Sequence, residues 1–105
     1  MKDRAEILDR CKQILQEHYG PALAGMLLYG SVARGQAEPG SDLDLLVLLR
    51  EPFDYFQELW QIVNLLYPAQ LESEQLISAK PVAQRDFENG ELQLYRNAKR
   101  EGVLV

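Results

Sequence analysis

Two short clusters hold the residues whose types and spacing could do chemistry. The first is Gly30-Ser31, which follows the apolar run 23–29. A strand that ends in Gly-Ser with a helix starting there leaves backbone N–H groups and a helix dipole free for an anion. Gly30 has no Cβ, so a ligand can approach its backbone closely. The Ser31 hydroxyl can add a hydrogen bond to a phosphate oxygen. The second cluster is Asp42 and Asp44, at i and i+2 before the apolar run Leu45–Leu49. On a strand that spacing points both carboxylates to one face. Two adjacent carboxylates repel unless a cation joins them. Mg²⁺ commonly takes one or two carboxylates together with substrate phosphates. The loop between the clusters brings them close, and a triphosphate bridged by a metal is the ligand that suits both.

Taken singly, each cluster has a plainer reading. Gly30-Ser31 could be a turn with an N-cap, and the aspartates could be solvated charges at a strand start. Taken together the plain reading weakens, because carboxylates leading into so apolar a strand are costly without a partner. Other motifs fail. The run Gly30–Gly35 is followed by Gln36, so there is no Gly-Lys-Ser/Thr phosphate loop. No Gly-x-Gly-x-x-Gly is present. Leu45-Leu46-Val47 follows Asp44 where a calcium loop needs polar ligands, and the single His excludes a two-histidine zinc helix.

The elements that must position these clusters follow from periodicity. Residues 3–19 predict an amphipathic helix with Ile7, Leu8, Cys11, Ile14, Leu15, His18 and Tyr19 on one stripe, stopped by Gly20-Pro21. Cys11 and His18 are expected in the core or at its edge. Leu23–Tyr29 and Asp42–Leu49 predict strands, the second buried on both faces at its end. A helix over 53–67 carries Phe53, Phe56, Trp60, Val63 and Tyr67, and Tyr67-Pro68 is expected to end it. That aromatic stripe is expected to pack in the core, with a partner-facing surface as the alternative. Leu71–Ser78 alternates and predicts a third strand. A short helical turn is expected over 84–89, a helix over 91–100, a cap at Gly102 and a final strand over 103–105. The order suggests α/β (α+β) layering: a small mixed sheet of three to four strands flanked by helices.

The 105 residues carry 11 Lys+Arg and 16 Asp+Glu, a net charge of −5, and one cysteine. The length suits a single domain over residues 1–105. The acidic balance argues against a broad nucleic-acid surface. One cysteine forbids an intrachain disulfide or a cysteine zinc cage. No signal segment or spanning apolar run is present, so the expected compartment is the cytoplasm.

The pattern Gly30-Ser31-Val32-Ala33-Arg34-Gly35, then Ser41-Asp42-Leu43-Asp44-Leu45, resembles the signature of the nucleotidyltransferase superfamily related to DNA polymerase beta. The length and the ending Leu94–Val103 resemble its minimal nucleotidyltransferase (MNT) branch. The resemblance implies a nucleotidyltransferase core, with Gly30 and Ser31 on the nucleotide's phosphates and Asp42 and Asp44 holding Mg²⁺. Arg34 matches the family arginine and either holds the loop or reaches phosphate. Ser41 is expected to cap the turn before the metal strand. Members that catalyse usually carry a third carboxylate on the next strand. Glu72 and Glu74 share one face of the predicted third strand. Glu74 is the preferred catalytic residue, and an exposed surface pair is the alternative. The resemblance further implies ATP as substrate and a HEPN-domain toxin as partner, with AMP passed to a tyrosine of that toxin. The protein would then be an antitoxin. Alternatively it is a weak or inactive enzyme that neutralises its partner by occlusion. A homo- or hetero-oligomer fits either reading.

Overall fold

The computed structural model describes residues 3–30 and 42–105. Helix α1 spans Arg4–Tyr19. Asp3 caps it by accepting from the Glu6 N–H, and the Glu6 carboxylate reaches back to the Asp3 N–H. This reciprocal pair satisfies two amide donors that the helix cannot. A single 3₁₀ turn over Gly20–Ala22 leads into β1, Leu23–Tyr29. Strand β2 is Leu43–Leu49, α2 is Tyr55–Leu71, and β3 is Ile77–Ala83. Helices α3 (Gln84–Asn89) and α4 (Gln93–Glu101) follow, and β4 is Val103–Leu104.

The strand order is β3-β2-β1-β4. β1 runs antiparallel to β2 and to β4, and β2 runs parallel to β3. The sheet is therefore mixed, as expected, with four strands. Leu43, Leu45, Val47 and Leu49 face α1 and α2, meeting Ile7, Cys11, Leu15, Ile62, Leu66 and Ala69. Leu46 and Leu48 face the other way, meeting Val82, Phe87 and Ala98. β2 is thus buried on both faces, which is why its sequence is almost wholly apolar. Each fully buried leucine contributes roughly 1.5–3 kcal/mol of burial.

The structure corrects several expectations. α2 does not stop at Tyr67-Pro68 but runs on to Leu71. Pro68 lacks an N–H, so the Asn64 carbonyl loses its helical donor. Pro68 is exposed, which puts that carbonyl on the solvent side, where the loss is cheap. The third strand is accordingly not Leu71–Ser78 but Ile77–Ala83. The segment between is a turn held by side chains. Ser73 Oγ accepts from the Gln75 N–H and donates to the Gln75 carbonyl. Gln70 accepts from the Ile77 N–H at 2.7 Å and donates to the Gln75 carbonyl at 3.0 Å. Pro81 sits within β3, which is an edge strand of the sheet, the place where a strand proline is tolerated.

The aromatic stripe is also corrected. Phe56, Trp60, Val63 and Tyr67 lie exposed, and α2 buries Ile62, Leu66 and Ala69 instead. The sheet face is lined by leucine and valine, and the small Ala69 is fully buried in the same core. His18 is exposed at the end of α1, its ring edge-on to Tyr19, whereas Cys11 is buried as expected. Burial pushes the Cys11 thiol up to about 11, so the thiolate is scarce at neutral pH. No helix among the described residues is long and apolar enough to cross a membrane.

Candidate functional site

The site is assembled where β1 ends and β2 begins. Tyr29 and Asp44 are direct partners in the antiparallel register. On the other side of β2, Asp44 pairs with Ser78 of β3 in the parallel register, and Leu46 pairs with Lys80. Cross-strand partners share a sheet face, so Tyr29, Asp44, Ser78 and Lys80 all lie on the α3/α4 side. The strand pairing fixes this grouping.

Gly30 follows directly, with φ at +82°. A Cβ at this position would lie 2.5 Å from Asp44 Oδ2. The backbone of Gly30 and the carboxylate of Asp44 are therefore in contact, and only glycine allows both the φ and the approach. Two features that sequence spacing placed near one another, the glycine turn and the second aspartate, touch in the structure. Asp42 is exposed just before β2. Its charge reaches Asp44: burial chiefly, then the Asp42 carboxylate, raises the Asp44 pKa from its ordinary 3.8, and Lys80 partly offsets them. The phenol of Tyr29 is raised as well, by burial first and then by the Asp44 charge. A half-buried carboxylate beside a second one is an unfavourable arrangement that a bound cation would relieve. Two carboxylates, one of them exposed, suit a hard divalent ion that keeps several waters.

Ser31, Arg34 and Ser41 lie outside the described residues, as does the helix expected to start at Gly30-Ser31. Glu74 is exposed in the turn before β3 and not on the strand. Glu72 is the C-cap of α2, where Arg10 of α1 donates to it at 3.2 Å. That places Glu72 among the helices of the opposite sheet face. Among the described residues, no group of three or more His, Cys, Asp or Glu is placed to hold a metal ion. Neither glutamate therefore joins Asp42 and Asp44 as expected.

Sequence reasoning missed Tyr29, Ser78 and Lys80 as neighbours of Asp44. Tyr29 was available from the strand limits, since it immediately precedes Gly30. Ser78 and Lys80 depended on the true start of β3. Had Ile77–Ala83 been taken as the strand, its alternation would have put Ser78, Lys80 and Val82 on one face.

Comparison with known proteins gives a consistent result. The family model described as "Nucleotidyltransferase domain" matches residues 8–104. Among solved structures, a protein assigned as a minimal nucleotidyltransferase shares 24% identity at a TM-score of 0.65, covering 99% of this chain and 97% of that one. Spectinomycin adenyltransferase AAD(9) from Enterococcus faecialis, solved with ATP and spectinomycin, shares 20% identity at a TM-score of 0.73. The match covers 98% of this chain and 56% of that enzyme, so the chain spans little more than half its length. A Sulfolobus solfataricus protein assigned as a nucleotidyltransferase shares 18% identity at a TM-score of 0.63, with 95% and 79% of the two chains covered. At these identities the structures show a shared fold. No curated protein matches the chain. The family match covers nearly the whole length, and this chain belongs to the nucleotidyltransferase domain family.

Proposed function

We propose that this protein transfers a nucleoside monophosphate, AMP from ATP, to a hydroxyl on another protein in a Mg²⁺-dependent reaction. The acceptor proposed is a tyrosine of a HEPN-domain toxin, which makes the chain its antitoxin. The observation that carries the reading is the contact of Gly30 with Asp44, with Asp42 beside it. Asp42 and Asp44 would hold Mg²⁺ against the α-phosphate. When bound there, the ion neutralises charge on the phosphates and stabilises the transition state. Asp44 is oriented by strand pairing on both sides, so its oxygen is preorganised for that task. Gly30 and Ser31 receive the outer phosphates. The acceptor oxygen bonds to the α-phosphorus, the bond to pyrophosphate breaks, and the acceptor proton leaves to solvent or to a carboxylate.

The test is incubation with α-labelled ATP, Mg²⁺ and the HEPN protein of an adjacent gene. Label on a tyrosine of that protein, lost with EDTA and lost in Asp42→Asn/Asp44→Asn, is the expected result. Labelling that survives the double substitution overturns it.

One observation favours occlusion as a second reading. Ser78 stands opposite Asp44 on the neighbouring strand, and no third carboxylate is at hand among the described residues. Under that reading the double aspartate variant still protects cells from the toxin. The two readings meet in one substitution. Ser78→Asp adds a carboxylate on the Asp44 face about 5 Å across the strands. In single-turnover transfer assays it is expected to raise the rate by about tenfold or more, part of the roughly 10²–10⁴-fold that a correctly placed acid–base group supplies. An unchanged rate would mean that the site does not lack this group.

A further inference from the structure

Helix α2 has two apolar faces, and among the described residues only one is packed in a core. Phe56 is 77% exposed, Trp60 70%, Val63 53%, Tyr67 60% and Leu71 63%. Their spacings of four, three, four and four residues keep them on one line along the helix. At 17 residues the helix is about 25 Å long. An isolated exposed leucine needs no explanation, whereas a continuous aromatic line of this length does.

We propose that two copies of this chain pair through this face, with their α2 helices antiparallel about a two-fold axis near Trp60 and Val63. Three observations carry it. The first is area. At about 200 Å² per fully exposed aromatic side chain, Phe56, Trp60 and Tyr67 present roughly 400 Å². Val63, Leu71 and the neighbouring Leu76 bring the apolar total to roughly 600 Å². Two copies would bury roughly 1,200 Å², the lower bound for a specific interface before any polar rim is counted. The second is charge. The chain carries −5, which opposes self-association. Within α2, however, Glu58 is the only charged residue, and its carboxylate is turned to α1, accepting from the Tyr19 hydroxyl at 2.9 Å. The acids at the two ends are engaged as well, Asp54 as the N-cap and Glu72 with Arg10. The acids of α2 and of its two caps therefore lie off the aromatic line, and Glu74, beside Leu76, is the exposed acid at its border. The third is shape. An apolar groove of about 170 Å³ lies beside the line, walled by Val63, Tyr67, Leu76 and Ile77. That is close to the volume, ~150 Å³, that holds a benzene ring. In the antiparallel arrangement Phe56 of one copy falls opposite Tyr67 of its partner, next to this groove. Antiparallel pairing also opposes the two helix dipoles, which parallel pairing would align. The proposal stands on these residues alone and does not depend on the transfer reaction.

Sedimentation of the full chain across about 1–500 µM tests it, a range that covers micromolar to sub-millimolar dissociation constants. The expected result is a concentration-dependent species of twice 12.0 kDa. Trp60→Lys should raise the concentration at which that species forms by at least about tenfold, since a central tryptophan usually dominates such interfaces. Its circular dichroism should be unchanged, because Trp60 packs in no core. Val63→Cys lies near the axis and should form an interchain disulfide on mild oxidation. Phe56→Cys lies far from it and should not, and the buried Cys11 should not compete. A mass that stays at 12.0 kDa throughout overturns the proposal, even if a HEPN protein then binds through Trp60. So does a dimer that Trp60→Lys leaves intact, or crosslinking by Phe56→Cys in place of Val63→Cys.

Discussion

Asp44→Asn is expected to lower the transfer rate by about 10³-fold and, at the same time, to make the free protein more stable at neutral pH. The rate loss follows from the role proposed for the carboxylate. An amide keeps the shape but surrenders the charge that holds the cation, and loss of one preorganised electrostatic group costs about 10²–10³ in rate even without a metal. The gain in stability follows from the direction of the titration. Burial first, then Asp42, hold the Asp44 pKa above its ordinary 3.8, with Lys80 opposing. The folded protein therefore binds this proton more tightly than the unfolded chain does. The stabilisation that the protonated form provides is complete below the ordinary value and is lost as pH rises through the folded value. At pH 7 the ionised group counts against folding, and asparagine removes that charge. Thermal unfolding in EDTA should show a higher midpoint for the variant at pH 7 and a difference that shrinks or reverses towards pH 3. Adding Mg²⁺ should raise the wild-type midpoint by mass action and leave the variant where it was. A wild-type protein indifferent to Mg²⁺ and to ATP would remove the metal role from Asp44.

Gly30→Val should damage both fold and site. At φ +82° a β-branched residue is strained. Strain of this kind costs about 1–3 kcal/mol, and on a domain of this size each kcal/mol shifts the midpoint by about 4–8 °C. The new Cβ would also lie 2.5 Å from Asp44 Oδ2, so the carboxylate must turn away. A displacement of about 1 Å at a reacting group costs about 10²-fold in rate. Gly20→Ala separates the two effects. Gly20 also has a positive φ, +54°, but nothing lies within 4 Å of its Cβ position. It should lose about 1 kcal/mol of stability and keep its activity. If Gly30→Val melts lower yet transfers normally at a permissive temperature, the contact with Asp44 has no role in the reaction.

The parts of the fold legible in the sequence were those where a local rule and the packing agree. The spacing of Ile7, Cys11, Ile14 and Leu15 predicts a helix over 3–19, and α1 spans Arg4–Tyr19. β1 and β2 are short apolar runs bounded by Gly30 and by charged residues, and their limits hold to within a residue. Legibility failed where one residue type served two contexts. Proline stops most helices, but Pro68 lies on the exposed side of α2 and does not. Because α2 runs on through Pro68, the third strand starts six residues later than the alternation predicts, and Ser78, not Glu74, stands opposite Asp44. The aromatic line of α2 failed for a related reason. Nearly every position of this helix is apolar or uncharged, so periodicity alone cannot tell the face that meets the sheet from the face that does not. The nearness of Asp42 to Asp44 was legible from their spacing, although Asp42 lies just before β2 and not on it, and its charge reaches Asp44. The neighbours of Asp44 on the adjacent strands were not legible, because register is a property of the sheet and not of any one segment.

β2 is the middle of the molecule, hydrogen-bonded to β1 on one side and β3 on the other, and apolar on both faces. Asp44 is part of it. Amides in the middle of such a strand exchange through openings that approach that of the whole domain, whereas sites built on loops can melt locally and re-form. The geometry of Asp44 is therefore as durable as the fold itself. Strand pairing on both sides ties the backbone of Asp44 to the sheet, so that backbone leaves the site only when β2 opens.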